Sequence, residues 1–302
     1  GVELPLPGDR DGAPVGDGDT AVAHGDTPMV PEDGDVIFYR RPEGDEYSWA
    51  PGVYLPTGEI SLPTFKAAVE KLPADSVIGT FFADLSLVRT IQERDGAAIY
   101  TDGQRALRLY PSGVLEYGYP SLRAKGPLLA LEAAWERGRH FVEQHGGWPS
   151  EIRIGAIERE HRPEGEYCHL SYRQYEKGIP ILLPDPALGL SVHSGGVTDY
   201  GRQIITYFPL DGAQPLVDPR GFLPDIFTSS PLQEGEGEGE TFISALYPAY
   251  YGYPSGEGEY RLKPAWVVTV AGKNYYFEGY TGKPLKIPGA GEGRESHGLE
   301  PG

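Results

Sequence analysis

The chain has 302 residues, enough for two or three compact domains, and 39% of them are apolar, enough to bury real cores. Its 44 acidic residues outnumber 26 basic ones, and a formal net charge of −18 excludes nucleic acid and anionic lipid surfaces as favoured partners. A single cysteine, Cys168, rules out an intramolecular disulfide, and one methionine beside 29 prolines and 42 glycines is the composition of a heat-stable protein, as a thermophile makes.

Residues 1–45 are rich in Gly, Pro and Asp, the composition of a solvated flexible linker, and lack the basic and apolar regions of a signal peptide. No stretch reaches the ~20 apolar residues of a membrane span; "GPLLALEAAW" is interrupted by Glu132. The segment "SLPTFKAAVEKL", residues 61–72, predicts a helix, with Ser61 as cap and Phe65, Val69 and Leu72 at helical spacing. "AAIYTDGQRALRLYPSGVLEYGYP", residues 97–120, predicts three antiparallel strands turned at Asp102-Gly103 and Ser112-Gly113. A second helix is predicted over 126–145, lined by Leu128, Leu131, Trp135 and Val142 and ended by Gly146-Gly147.

Strands then follow in "EIRIGAIE", "EYCHLSYRQYEKG", "IPILL", "LGLSVH" and "TDYGRQIITYF". A solvated "EGEGEGE" at 234–240 leads to the strand "TFISALYPAYYGY", a Gly-Glu loop and a closing hairpin. In that hairpin Trp266, Val268 and Val270 alternate with Val267 and Thr269, and Tyr275 and Phe277 alternate with Tyr276 and Glu278. Its turn is read as Gly272-Lys273-Asn274, since Gly272 and Asn274 accept positive φ most readily. Helix followed by antiparallel strands, repeated, predicts an α+β fold: two to three small units of antiparallel sheet with helices packed on one face. The expected segments are a linker at 1–45, an N-terminal domain at 46–122, a central domain at 123–210, a β-rich unit at 211–287 and a disordered tail at 288–302.

Candidate chemistry is sparse. Cys168 and His169 are neighbours on a strand and point to opposite faces, so they do not form a nucleophile and base. "SVHSGG" at 191–196 lacks the spacing of a nucleophile elbow. His161 and His169 among Glu158, Glu160, Glu164 and Glu166 lack metal-ligand spacing, and "EGEGEGE" lacks the order of a calcium loop. Asp102 is explained by its turn rather than by pairing with Asp84. The expectation is a non-enzyme with no catalytic residue, metal or cofactor.

"EYCHLSYRQYEKGIPILL" followed by "LGLSVHSGGVTDYGRQIITYF" resembles the strand block of the YycH and YycI proteins, extracytoplasmic regulators of the WalK-type sensor kinase of Gram-positive bacteria. The aromatic strand "ALYPAYYGY", then "KPAWVV", then "YYFEGYTG" follow the order of that family's ending, and "FFADLSLVRTIQERDGAAIYTDGQRALRLYPSGVLEYGYP" resembles its YycH branch. The likeness covers residues 75–287 and consists of strand patterns and turn glycines.

It implies PepSY-like units on a protein anchored outside the cytoplasm by an N-terminal spanning helix, which this chain does not include and to which residues 1–45 would attach. It also implies regulation of two-component signalling by contact with a membrane sensor kinase or a second regulator, with a homo- or hetero-dimer as the possible assembly. The scaffold residues expected for the hairpin are Trp266, Gly272, Asn274, Tyr276 and Gly282, and the partner-contact residues Tyr247, Tyr250 and Tyr251. Two other classes fit the residues: a secreted peptidase inhibitor that pairs an edge strand with its target, and a cell-wall module stacking its 20 tyrosines on sugars.

Overall fold

A computed structural model describes residues 58–123, 129–162, 165–223, 243–270 and 272–285, and the backbone alone at 38–40, 46–49 and 242. Strand dominates. Sixteen strands form one sheet among the described residues, with only two α-helices beside it, so the α+β expectation of repeated helix-covered units is overturned.

The sheet has two halves. The first is antiparallel throughout and comprises β5 (Arg89–Gln92), β6 (Ala98–Thr101), β7 (Ala106–Leu109), β8 (Leu115–Gly118), β9 (Ile152–Arg162), β10 (Gly165–Glu176), β12 (Leu188–His193) and β13 (Gly196–Arg202). Their order is β9-β10-β12-β13-β8-β7-β6-β5, which leaves β9 and β5 as edges. The second half holds β4 (Phe65–Val69), β11 (Ile179–Leu182), β14 (Ile205–Pro209), β16 (Phe242–Gly256), β17 (Glu259–Val270) and β18 (Lys273–Glu278), with β1 (Phe38–Arg40) and β2 (Glu46–Trp49) beside β16. A two-strand ribbon of β3 (Ser61–Leu62) and β15 (Gln214–Pro215) completes it.

β10 and β11 join the halves by two residue pairs, Tyr175↔Pro180 and Glu176↔Ile179. The buried Gln174 amide reinforces the junction: it accepts from Ile205 N–H at 2.8 Å and donates to Ile205 C=O at 3.1 Å, standing in for a peptide group.

The predicted helix at 61–72 is replaced by β3 and β4, and α1 (Ala74–Phe81) starts only after Pro73. Phe65 and Val69 fit helical spacing, but Phe65, Ala67 and Val69 also alternate with Lys66 and Ala68, and burial follows that alternation. β4 pairs with β14 on one side and β17 on the other, so two ladders fix the choice that four residues of local pattern leave open. "TDYGRQIITYF" likewise divides into β13 and β14, because Arg202 ends a strand of the first half and Ile205 begins one of the second.

Strands of the three predicted domains interleave: β4 of 46–122 lies between β14 of 123–210 and β17 of 211–287. β1 falls within the predicted linker; the rest of that stretch, 234–240 and the tail at 288–302 lie outside the described residues.

α2 (Leu131–Gln144) lies on β10, β12 and β13. It buries Ala134, Gly138 and Val142, while Leu131 stays exposed; Leu128 lies outside the described residues. Small residues let the helix approach closely, since a Cβ at Gly138 would sit 3.0 Å from Leu170 Cδ1. That face, with Phe81, Leu107, Leu115 and Tyr200, is one core. The inner face of the second half makes the other, with Phe65, Ile243, Tyr250, Leu262, Trp266, Val268 and Phe277 packed under Phe222 and Leu223.

Candidate interaction surface

The C-terminal hairpin is built from two apolar rows on each strand. On β16, β17 and β18 the inner row, Tyr250, Trp266, Val268, Val270 and Phe277, enters the second core. Trp266 is 2% exposed and its indole N–H donates to Val217 C=O at 3.0 Å. The outer row forms its own cluster: Leu182, Ala249, Tyr251, Ala265 and Val267 are buried, with Tyr247, Tyr253, Tyr276 and Leu285 half-buried around them. Tyr251 and Tyr253 meet edge to face at 4.7 Å, and the Lys263 ammonium lies 5.5 Å from the Tyr253 ring centre. Burial raises the phenol pKa of Tyr247, Tyr251 and Tyr253, so all three hydroxyls are neutral donors over a wide pH range.

The sequence-selected residues divide along this alternation. Tyr247 and Tyr251 share the outer row, whereas Tyr250 is 1% exposed, packs edge to face on Phe65 at 5.1 Å and offers a partner nothing. Tyr276 pairs with Val267 and belongs to the outer row as well. Tyr253 was missed, although period-two counting from Tyr247 reaches it.

The reversal itself is tighter than predicted. Val270 pairs with Lys273, so the chain has already reversed before Lys273, with Gly272 at φ +74°. Asn274 is a strand residue paired with Thr269, whose hydroxyl donates to Asn274 Oδ1 at 2.7 Å. Gly282, at φ +69°, donates its N–H to Glu278 C=O and turns the chain so that Pro284 bridges back to Phe277.

The residues considered for chemistry lie elsewhere. Cys168 is buried in the first core, which raises its thiol pKa and keeps it protonated. His169 emerges on the opposite face. There it forms a line the sequence reading did not assemble: Ser191 Oγ lies 3.0 Å from His169 Nδ1, and His169 Nε2 lies 2.8 Å from Glu160 Oε2. Arg162 also donates to Glu160 at 2.7 Å, and these partners hold the Glu160 carboxyl down at about 2.

Serine, histidine and carboxylate in series can activate a hydroxyl. Here the three come from β12, β10 and β9 across an open sheet face, and the Ser191 strand is paired on both sides, with its C=O taken by Thr198. The arrangement is a cross-strand polar ladder. His161 faces Glu166 at 3.9 Å and is largely exposed, and among the described residues no three His, Cys, Asp or Glu side chains converge as a metal requires. Asp84 accepts from Ser86, and Asp102 accepts from the Gln104 and Arg105 amides and the Arg105 guanidinium.

No family model and no curated protein matches the sequence. Among solved structures, an uncharacterized protein from Eubacterium rectale has the same fold at 12% identity, with a TM-score of 0.53 over 84% of this chain and 94% of that one. The C-terminal domain of YpeB from Bacillus megaterium aligns at 12% identity and a TM-score of 0.38, over 72% of this chain and 98% of that one.

Proposed function

We propose that this chain is a non-enzymatic extracytoplasmic regulator that acts by contact with a membrane sensor kinase or a fellow regulator. The observation that carries the reading is the outer face of the closing hairpin, where half-buried Tyr247, Tyr253 and Tyr276 surround a floor of Ala249, Ala265 and Val267. Tyrosine rings over a small-residue floor are the composition of protein-binding surfaces, which favour Tyr and disfavour charge at their centres. The sequence resemblance to the YycH and YycI regulators supplies the class of partner. Confinement in one membrane would raise the effective concentration, so a weak contact suffices.

The test is co-expression of the chain, fused to an N-terminal spanning helix, with a WalK-type kinase, reading the output of the kinase's response regulator. Output should shift with the wild-type chain and return toward the kinase-alone level for the combined Tyr247→Ser, Tyr253→Ser, Tyr276→Ser variant, provided the variant still melts cooperatively. Equal output with no chain, wild type and variant abandons the proposal.

A further inference from the structure

β9 is an edge strand of 11 residues that pairs on one side only, with β10, and the nine residues from 153 to 161 are exposed on both faces. A long open edge is ordinarily guarded by charge or a bulge. β9 has both: the register shifts at Gly155, and Arg153, Glu158, Glu160 and Arg162 stud it. On the outer face three of these four charges have partners, since Glu160 is held by Arg162 and His169, and Arg153 stacks on Tyr175 at 4.5 Å.

The inner face differs. Ile154, Ile157 and Arg159 stand opposite Tyr172, Leu170 and Cys168 of β10, so they extend the face on which α2 packs. Ile154 and Ile157 remain 41% exposed each, and Arg159 has no hydrogen bond or ion pair among the described residues.

We infer that β9 receives an extended strand from another protein, added antiparallel to its open edge, with the pattern acidic-x-apolar-x-apolar. The acidic side chain meets Arg159, and the two apolar ones cover Ile157 and Ile154, the same spacing of two with which Cys168, Leu170 and Tyr172 meet them from the other side. Main-chain hydrogen bonds supply adhesion, and the inner row supplies selection. Charge favours such a partner: β9 carries three arginines against two glutamates, in a chain with 26 basic and 44 acidic residues. A second copy fits less well. The inner row of β9 holds no carboxylate, so self-pairing leaves Arg159 without a counter-charge.

The inference rests on the protein-binding reading only for the class of partner, and it is tested without a kinase. The probe is a fluorescein-labelled peptide, Thr-Glu-Thr-Val-Thr-Val-Thr, titrated onto the full chain by anisotropy, with amide hydrogen exchange read across 152–162. Binding should slow exchange in β9 and leave the β5 edge unchanged.

Arg159→Glu should weaken binding tenfold or more, and a peptide with Lys in place of Glu should recover it on that variant. Ile157→Thr, a second surface change, should weaken binding with no loss of fold. Absence of β9 protection, an unchanged affinity for Arg159→Glu, or a free chain that is already a dimer with protected β9 overturns the inference. Peptide capture beside an unaltered kinase output would break the kinase reading and leave this one standing, and the reverse outcome would do the opposite.

Discussion

β17 and β9 are antiparallel strands of nearly equal length, 12 and 11 residues, and they share almost no physical character. β17 is flanked by β16 and, in succession along its other edge, by β4 and β18, and both of its rows are buried. β9 has one neighbour and both rows exposed. The lesson is that strand length and propensity fix the local geometry, while the composition of the two rows decides how many neighbours a strand can keep. Val267 and Val268 bring apolar side chains to both faces of β17 at once. In β9 the isoleucines sit on one face, and Glu158, Glu160 and Arg162 hold the other to water.

Substitution can break or sharpen that contrast. The largest effect is expected at Trp266: replacement by Ala removes a 2%-exposed indole and leaves Val217 C=O without its donor, costing about 3 to 5 kcal/mol in denaturant unfolding. A chain that lost less than about 1 kcal/mol would show the inner row of β17 to be loosely held. Next is Gly258, in the β16–β17 turn at φ +68°, where a Cβ would lie 2.2 Å from the Ser112 carbonyl oxygen of the β7–β8 turn. Gly258→Ala should cost about 2 kcal/mol or more, from positive φ and displaced backbone together. Gly272→Ala isolates the first of these, since nothing lies within 4 Å of its Cβ position, and should cost only about 1 kcal/mol.

A conditional effect belongs to His145 in the first core, stacked at 3.9 Å on Phe141 and 4.3 Å from Phe81. Burial lowers its imidazole pKa below the ordinary value of 6.5, against the opposing hydrogen bond to Phe141 C=O. The unfolded chain therefore takes up this proton at higher pH than the folded chain does. Its contribution is present in full above pH 6.5 and is lost as pH falls through the depressed folded value. Melting curves from pH 8 to pH 5 should fall more steeply for wild type than for His145→Phe; parallel curves would refute it. The smallest effect is expected at Ile157→Thr on β9, within about 0.5 kcal/mol, because the side chain is already 41% exposed. A loss near that of Trp266→Ala would mean that β9 is no exposed edge at all.

What the sequence disclosed follows the range of the forces involved. The strands β6, β7 and β8 were legible because Asp102-Gly103 and Ser112-Gly113 carry their turns in adjacent residues. The closing hairpin was legible for the same reason, though Lys273 and Asn274, read as turn residues, already belong to the returning strand. α2 announced itself by an apolar stripe and two glycines, yet its buried face runs through Ala134 and Gly138, because close approach to Leu170 rewards small side chains.

The β4 segment was misread because Phe65 and Val69 satisfy both periods, and the strands that decide between them come from far along the chain. The tyrosine surface was half legible: alternation alone separates Tyr250 from Tyr247, Tyr251 and Tyr253. The Ser191, His169 and Glu160 line was invisible, since it needs the register of three strands.

The placement of β4 also sets a timetable. Phe65 pairs with Leu262, so this early strand waits for about 200 further residues before one of its two ladders can close. At ribosomal rates of about 5 to 20 residues per second that is roughly 10 to 40 s of synthesis, during which its apolar residues must stay out of other pairings. Loop closure over such a span makes slow, late completion the natural course for this half of the molecule. The two ladders that join β6, β7 and β8 to one another lie within residues 98–118 and can close long before, even though β8 receives β13 on its other side only later.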